Sequence, residues 1–183
     1  MESGIIEERR GGNQMGLELQ ITDMAGATPD HSTVITNFVN MVYNQLKDST
    51  CRVYPDNVQY KWKMNDGSEK TVIPDASINC QIRSRKGNSF LNAPQFVLEV
   101  LSPSTAKYDR TEKKEIYREE EIPEYWIIDI QKREIEMYDL DYENGEPKYY
   151  LIDTIRDSNK EEIHLIHFPH IGIDFDRIFD GIE

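Results

Sequence analysis

Cysteine is scarce in this chain: Cys51 and Cys80 are the only two among 183 residues. Two thiols with no CxxC pair exclude a cysteine-rich zinc site and a disulfide-stapled scaffold. Free cysteine is among the most buried residue types, so both are expected as buried, reduced thiols. No apolar run approaches the roughly 20 residues of a membrane-spanning helix. The first residues, "MESGIIEERRGG", lack the apolar core of a signal peptide. A soluble cytoplasmic protein without membrane contact is the expectation.

Positive charge is also in short supply. The 21 Lys and Arg stand against 34 Asp and Glu, a formal net charge of −13. Phosphate binding wants a basic footprint, so any nucleic-acid function must rest on a local patch. Two clusters are candidates: Arg83, Arg85 and Lys86 in "RSRKGN", and Lys107, Arg110, Lys113 and Lys114 in "KYDRTEKKE". The plainer reading of both is solvated surface charge. What is present argues for a folded domain, with 38% hydrophobic and 10% aromatic residues. The length suits one domain over residues 1–183, with a weakly patterned lead-in at 1–23.

Thr28 before Pro29 reads as a helix N-cap followed by proline at the first helical position. Val34, Ile35, Phe38, Val42 and Leu46 then recur at helical spacing, giving that helix one core face. His31 lies at the start of this face, as a capping or core histidine or as a residue at a cleft. Alternating runs flank Asn65-Asp66-Gly67 and Asn144-Gly145, which predicts two hairpins. A third hairpin is expected around Asp157–Lys160, leading into "EIHLIHF". "FVLEVL" and "YWIID" read as buried strands, with a helix from about Arg110 to Glu120 between them, capped by Asp109 with Glu112. "IDFDRIF" packs Ile173, Phe175, Ile178 and Phe179 at the end. The order predicts an α/β fold with a central mixed sheet flanked by helices and additional β-hairpins.

Glu99 is the one charge in "FVLEVL", and a buried carboxylate is costly without a partner. "TVIPDASINC" reads as a strand with Val72, Ala76, Ile78 and Cys80 on one face and Ile73, Asp75, Ser77 and Asn79 on the other. Pro74 cannot donate to a ladder and marks a bulge or an edge. If these strands are neighbours, Asp75 and Glu99 converge, and paired carboxylates on strands suit a hard cation such as Mg²⁺. Two residues after Glu99 stands Leu101, so a lysine must come from elsewhere. Lys113 shares a helical stripe with Ile116, Tyr117 and Glu120, whereas Lys114 shares a face with Arg118 and Glu121 and looks solvated. The bland alternative for Lys113 is a surface ion pair with Asp109 or Glu112.

"IPDASI", "PQFVLEVLSPST", "DRTEKKEIY" and "IPEYWIID" together resemble the Uma-type restriction endonuclease family of the PD-(D/E)-x-K nuclease superfamily. The resemblance extends to "MAGATPDHS", "CRVYPDNV" and "HIGIDFDRIF", from about Met24 onward. It implies a restriction-endonuclease-like fold and Mg²⁺- or Mn²⁺-dependent hydrolysis of DNA phosphodiesters. Asp75 and Glu99 take the places of the metal-binding acids, and the Val100 backbone carbonyl that of a further ligand. Lys113 resembles a catalytic lysine displaced onto the next helix, and Tyr117 a tyrosine one turn later that either holds it or simply packs. His31 is a supporting candidate. The family's "YE-x-x-x-G" pattern before the first helix is absent; "GNQMGLELQITD" stands there, with Glu18 out of register. A homodimer is expected by analogy. The competing expectations are a nuclease-fold binding module without turnover and a metal-free buried pair of Glu99 with Lys113.

Overall fold

The computed structural model describes residues 28–103 and 106–182. The lead-in at 1–23 and Glu18 lie outside the described residues. The first helix, α1 (Pro29–Gln45), begins as its sequence dictates. Thr28 is extended and its hydroxyl accepts the His31 amide at 3.2 Å. The stripe of Val34, Ile35, Phe38, Met41 and Val42 is buried. It packs on a six-stranded sheet, where Phe38 stacks on Phe96 with ring centroids 5.4 Å apart.

That sheet is built from β1 (Arg52–Pro55), β4 (Ala76–Asn79), β7 (Phe96–Val100), β8 (Glu124–Asp129), β9 (Glu134–Glu143) and β10 (Glu146–Ile155), side by side in this order. Every neighbouring pair is antiparallel except β7 with β8. Parallel neighbours need a crossover. Here it is helical: α2 (Ala106–Tyr108), a π-helical turn (Asp109–Lys113) and α3 (Lys114–Glu119). Both central strands are buried on both faces, which explains their nearly unbroken apolar runs.

A second sheet covers the face away from α1. It orders β3 (Glu69–Val72), β2 (Gln59–Lys63), β6 (Ser89–Phe90) and β5 (Arg85–Lys86). Its Tyr60, Trp62, Val72 and Phe90 pack with Val97, Tyr117, Tyr125 and Ile127. The central sheet therefore has two cores, an α1 core with Leu98, Val100 and Trp126, and a crossover core around Val97 and Tyr117. The chain ends with β11 (Ile163–His164), β12 (Gly172–Ile173) and a short helix, α4 (Phe175–Ile178), which buries Ile173, Phe175, Ile178 and Phe179 as expected.

Both expected hairpins form, with Gly67 and the pair Asn144 and Gly145 at positive φ. Four expectations are corrected. "TVIPDASINC" is not one strand: β3 and β4 belong to different sheets, because Pro74 has no amide to continue a ladder and the chain changes sheet there. Val72 consequently faces the crossover core, while Ala76 and Ile78 face α1. Asp109 is no cap; it lies inside the crossover helix and is 1% exposed. The turn after β10 leads to β11, but β11 pairs with β12. Cys51 and Cys80 are joined as a disulfide rather than free, since the antiparallel pairing of Arg52 with Asn79 sets them opposite each other at the strand ends.

Candidate active site

Glu99 is the penultimate residue of β7, with its side chain on the crossover face and none of it exposed. Desolvation of a carboxylate there demands partners. Lys113 Nζ lies 2.8 Å from Glu99 Oε2, and the Tyr117 hydroxyl donates to Oε1 at 2.5 Å. Lys113 also lies 3.1 Å from Asp109 Oδ1. The π-helical turn spans Asp109 to Lys113, and such widened turns recur at functional sites because they re-aim side chains. Tyr117 follows four residues later and is held by edge-on rings, Tyr125 at 5.4 Å and Trp62 at 6.4 Å.

Asp75 enters from the sheet change at Pro74. Its Oδ2 accepts the Val100 amide at 2.7 Å, which ties it to the residue following Glu99. His31, in the first turn of α1, places Nε2 3.2 Å from the same oxygen. Its Nδ1 makes no well-formed hydrogen bond, although the Val100 carbonyl is near enough to favour its proton. Asp75, Glu99, Lys113, Val100, His31 and Tyr117 are therefore brought together, from four separate parts of the chain. Lys113 and Asp75 are each 16% exposed and His31 12%, so the cluster has an opening on their side.

The electrostatics are lopsided. Burial pushes the Glu99 carboxyl up to about 8; the Lys113 ammonium opposes this, while Asp75 and Asp109 add to it. Burial works against the Lys113 charge, but Glu99, Asp109 and Asp75 outweigh it and raise its pKa, so the lysine stays charged. For His31, burial is again the largest influence and lowers the pKa, yet the hydrogen bond and charge of Asp75 carry it above its usual value. Two carboxylates, Glu99 and Asp109, thus contact one ammonium, and Asp75 acts on it by charge from beside His31.

This donor set suits a hard divalent cation in kind. Among the described residues no group of three or more His, Cys, Asp and Glu closes around one point. Mg²⁺ needs no such cage, since it is usually held by one or two carboxylates and retains several waters. Asp75 and Glu99, with the Val100 carbonyl, are that kind of set.

Asp109, expected as a cap or as half of a weak surface pair, is instead buried against Lys113, and the i, i+4 spacing is the signal in the sequence for that role. Lys114 was assigned to a solvated face, yet its ammonium lies 3.5 Å from the centroid of the Tyr138 ring. Arg110, grouped with a surface patch, makes two 2.6 Å hydrogen bonds to Glu136. Glu124, buried and unremarked, accepts the amides of Ile166 and His167 at 2.9 and 3.0 Å. A surface cavity of about 550 Å³ lies away from this cluster, at the opposite end of β4, where Cys80 through Ser84 line it.

The mixed sheet, the crossover helix and the carboxylates gathered against them define a nuclease fold. It is similar to the crystal structure of "a putative nuclease belonging to DUF820" from Anabaena variabilis, with a TM-score of 0.63 at 17% identity, covering 84% of this chain and 82% of that one. The sequence profile of Uma2, described as "Putative restriction endonuclease", matches residues 18–166, and the chain belongs to that family. A relative in Synechocystis sp., the uncharacterized protein slr1290, is 27% identical over 179 residues, which is 96% of this chain and 88% of the relative.

Proposed function

We propose that this protein is a metal-dependent endonuclease that hydrolyses DNA phosphodiester bonds. The observation carrying the reading is the pair of carboxylates, Glu99 and Asp109, on the largely covered Lys113 ammonium, with Asp75 hydrogen-bonded to the backbone beside Glu99. Asp75, Glu99 and the Val100 carbonyl would hold Mg²⁺ or Mn²⁺. When bound, the cation would lower the pKa of water and neutralise developing phosphate charge. Lys113 stays protonated, so its role is to donate a hydrogen bond to a phosphate oxygen or to the attacking water. Tyr117 fixes the Glu99 carboxylate from its other oxygen and so positions it. His31 orients Asp75. A homodimer would let two sites address the two strands of a duplex, and in the cytoplasm, where DNA is met, the Cys51–Cys80 bridge would be exposed to reduction.

One observation favours a second reading, a binding module without turnover. Both Glu99 oxygens already accept hydrogen bonds from the protein, so a cation must displace or share them. Calorimetric titration with Mn²⁺, followed by incubation with plasmid DNA, separates the two. The nuclease predicts Mn²⁺ binding that Glu99→Ala abolishes, and plasmid nicking that Asp75→Ala abolishes. Absence of Mn²⁺ binding in the wild type overturns the nuclease reading, and nicking that survives Asp75→Ala assigns it to a contaminant.

A further inference from the structure

Two stretches of the chain treat their cations differently. From Arg110 to Lys160, every Lys and Arg but one is ion-paired: Arg110 with Glu136, Lys113 with Glu99, Arg118 with Glu115, Lys132 with Asp129, Arg133 with Asp157, Lys148 with Glu143, Arg156 with Glu134 and Lys160 with Asp176. The exception, Lys114, rests on the Tyr138 ring. These charges are already neutralised within the protein.

The second sheet is the opposite. Residues 59–90 hold six of the chain's 21 Lys and Arg but only three of its 34 Asp and Glu. Lys61, Lys63, Arg83, Arg85 and Lys86 are all exposed. Among the described residues, none of the five has a carboxylate within ion-pair distance. Strand periodicity explains where they point. Tyr60 and Trp62 of β2 face the crossover core, so Lys61 and Lys63 between and beyond them face outward. Lys86 pairs with Ser89 and Ser89 with Gln59, which puts Lys86 on the same outward side as Lys61, two residues along from Gln59. Arg83 adjoins it on the preceding turn, while Arg85, paired with Phe90 and through it with Tyr60, lies at the sheet edge on the opposite side.

This face is also near the candidate site. Lys61 pairs with Thr71, and Thr71 precedes Asp75 by four residues. At an extended reach of about 3.5 Å per residue, that connection spans no more than about 14 Å. A duplex that enters the cluster at Asp75 would pass within reach of this face.

We propose that the outward face of the second sheet, from Lys61 and Lys63 across to Lys86, is the surface on which the phosphate backbone of duplex DNA docks. The inference deepens the nuclease reading and rests on it for the identity of the partner. The chemistry is charge complementarity: unpaired, exposed cations on one face of an otherwise acidic protein, free to replace the counterions of a polyanion. The acidic remainder would repel the same polyanion and so orient it towards this face.

Binding of a fluorescein-labelled 20-base-pair duplex, followed by polarisation in EDTA over a series of salt concentrations, tests this without requiring metal or turnover. The variants are Lys61→Ala/Lys63→Ala/Lys86→Ala and, with the same charge change in the ion-paired half, Lys132→Ala/Lys148→Ala/Lys160→Ala. Circular dichroism confirms that both fold. The expected result is at least tenfold weaker binding by the first variant at low salt, with the slope of log K against log salt shallower by about 2–3, near 0.9 per lost phosphate contact. The control variant should stay within twofold of wild type. Equal binding by the first variant and wild type, equal loss in both variants, or no duplex binding by wild type each overturns the proposal. The nuclease reading fails separately. Face-dependent binding without Mn²⁺-dependent nicking leaves the docking surface standing and removes the catalysis; Glu99-dependent nicking that ignores the first variant does the reverse.

Discussion

Glu99 and Glu124 are both wholly buried, and they sit on neighbouring parallel strands of one sheet. Glu124 points to the α1 side, in register with Phe96, and both of its oxygens accept backbone amides, those of Ile166 and His167. Glu99 points to the other side and is held by two side-chain ends, the Lys113 ammonium and the Tyr117 hydroxyl. Burial raises the pKa of each. The difference lies in what the partners can do. Backbone amides leave only if the segment at 165–168 peels away, so Glu124 pins that segment to the sheet. Lysine and tyrosine tips can shift with their backbone in place. Two more carboxylates and a partly exposed histidine stand beside Glu99, whereas the histidine beside Glu124, His167, is bonded to it through its backbone amide. A buried carboxylate held by amides is a structural clamp, and one held by movable side chains can be shared with a ligand.

The largest expected effect tests the functional half of that contrast. Asp75→Asn or Glu99→Gln should lower Mn²⁺-dependent plasmid nicking by about 10³-fold, equivalent to about 4 kcal/mol of transition-state stabilisation. Glu124→Gln should stay within about threefold of wild type, since only interactions with the reacting groups enter the rate directly. If the two glutamates exchanged these outcomes, the distinction would collapse.

Stability should divide them the other way. Glu124→Ala strands two buried amides and is expected to cost about 2–4 kcal/mol in urea unfolding. Glu99→Gln replaces a carboxyl that burial already drives towards its neutral form, while Lys113 keeps Asp109, so a change of less than about 1 kcal/mol, of either sign, is expected. A larger loss for Glu99→Gln would make it the clamp.

The pH dependence sharpens the comparison least, but its sign is definite. Glu99 binds its proton more tightly folded, at about 8, than unfolded, near 4.5. Its contribution to stability is therefore fully present below about 4.5 and is lost as pH rises towards 8. The metal-free protein should lose about 2 kcal/mol over that window, given about 1.4 kcal/mol per tenfold difference in proton affinity and partial relaxation of the site. Thermal melts of Glu99→Gln should show a flatter profile, with the remaining slope in the same direction due in part to Glu124. An unchanged slope would mean that Glu99 is not the titrating group.

Much of this arrangement was legible from local pattern. The stripe of α1, its Thr28 cap, the Asn-Gly and Asp-Gly hairpins and the doubly buried strands follow from periodicity and turn chemistry. Lys113 was separable from Lys114 by helical spacing, and the pairing of Asp75 with the backbone beside Glu99 agrees with the convergence expected of those strands. Less legible was anything that depended on which elements meet. The break at Pro74 could be read as a bulge, because a missing donor says that a ladder stops but not where the chain resumes. Asp109 was misread because capping boxes and interior turns share residue types. Glu124 left no signal, since its amide partners lie more than 40 residues away.

The sequence by itself determined the elements, the apolar faces they bury and the identity of the one charge placed in a central strand. These are short-range matters of side-chain size, backbone freedom and alternation. Only the tertiary structure decided that Glu99 meets Lys113, Tyr117 and the neighbourhood of Asp75, while Glu124 meets two amides. Both are glutamates in apolar strands; their difference is the electrostatic environment, and that is set by distances across the fold rather than along the chain.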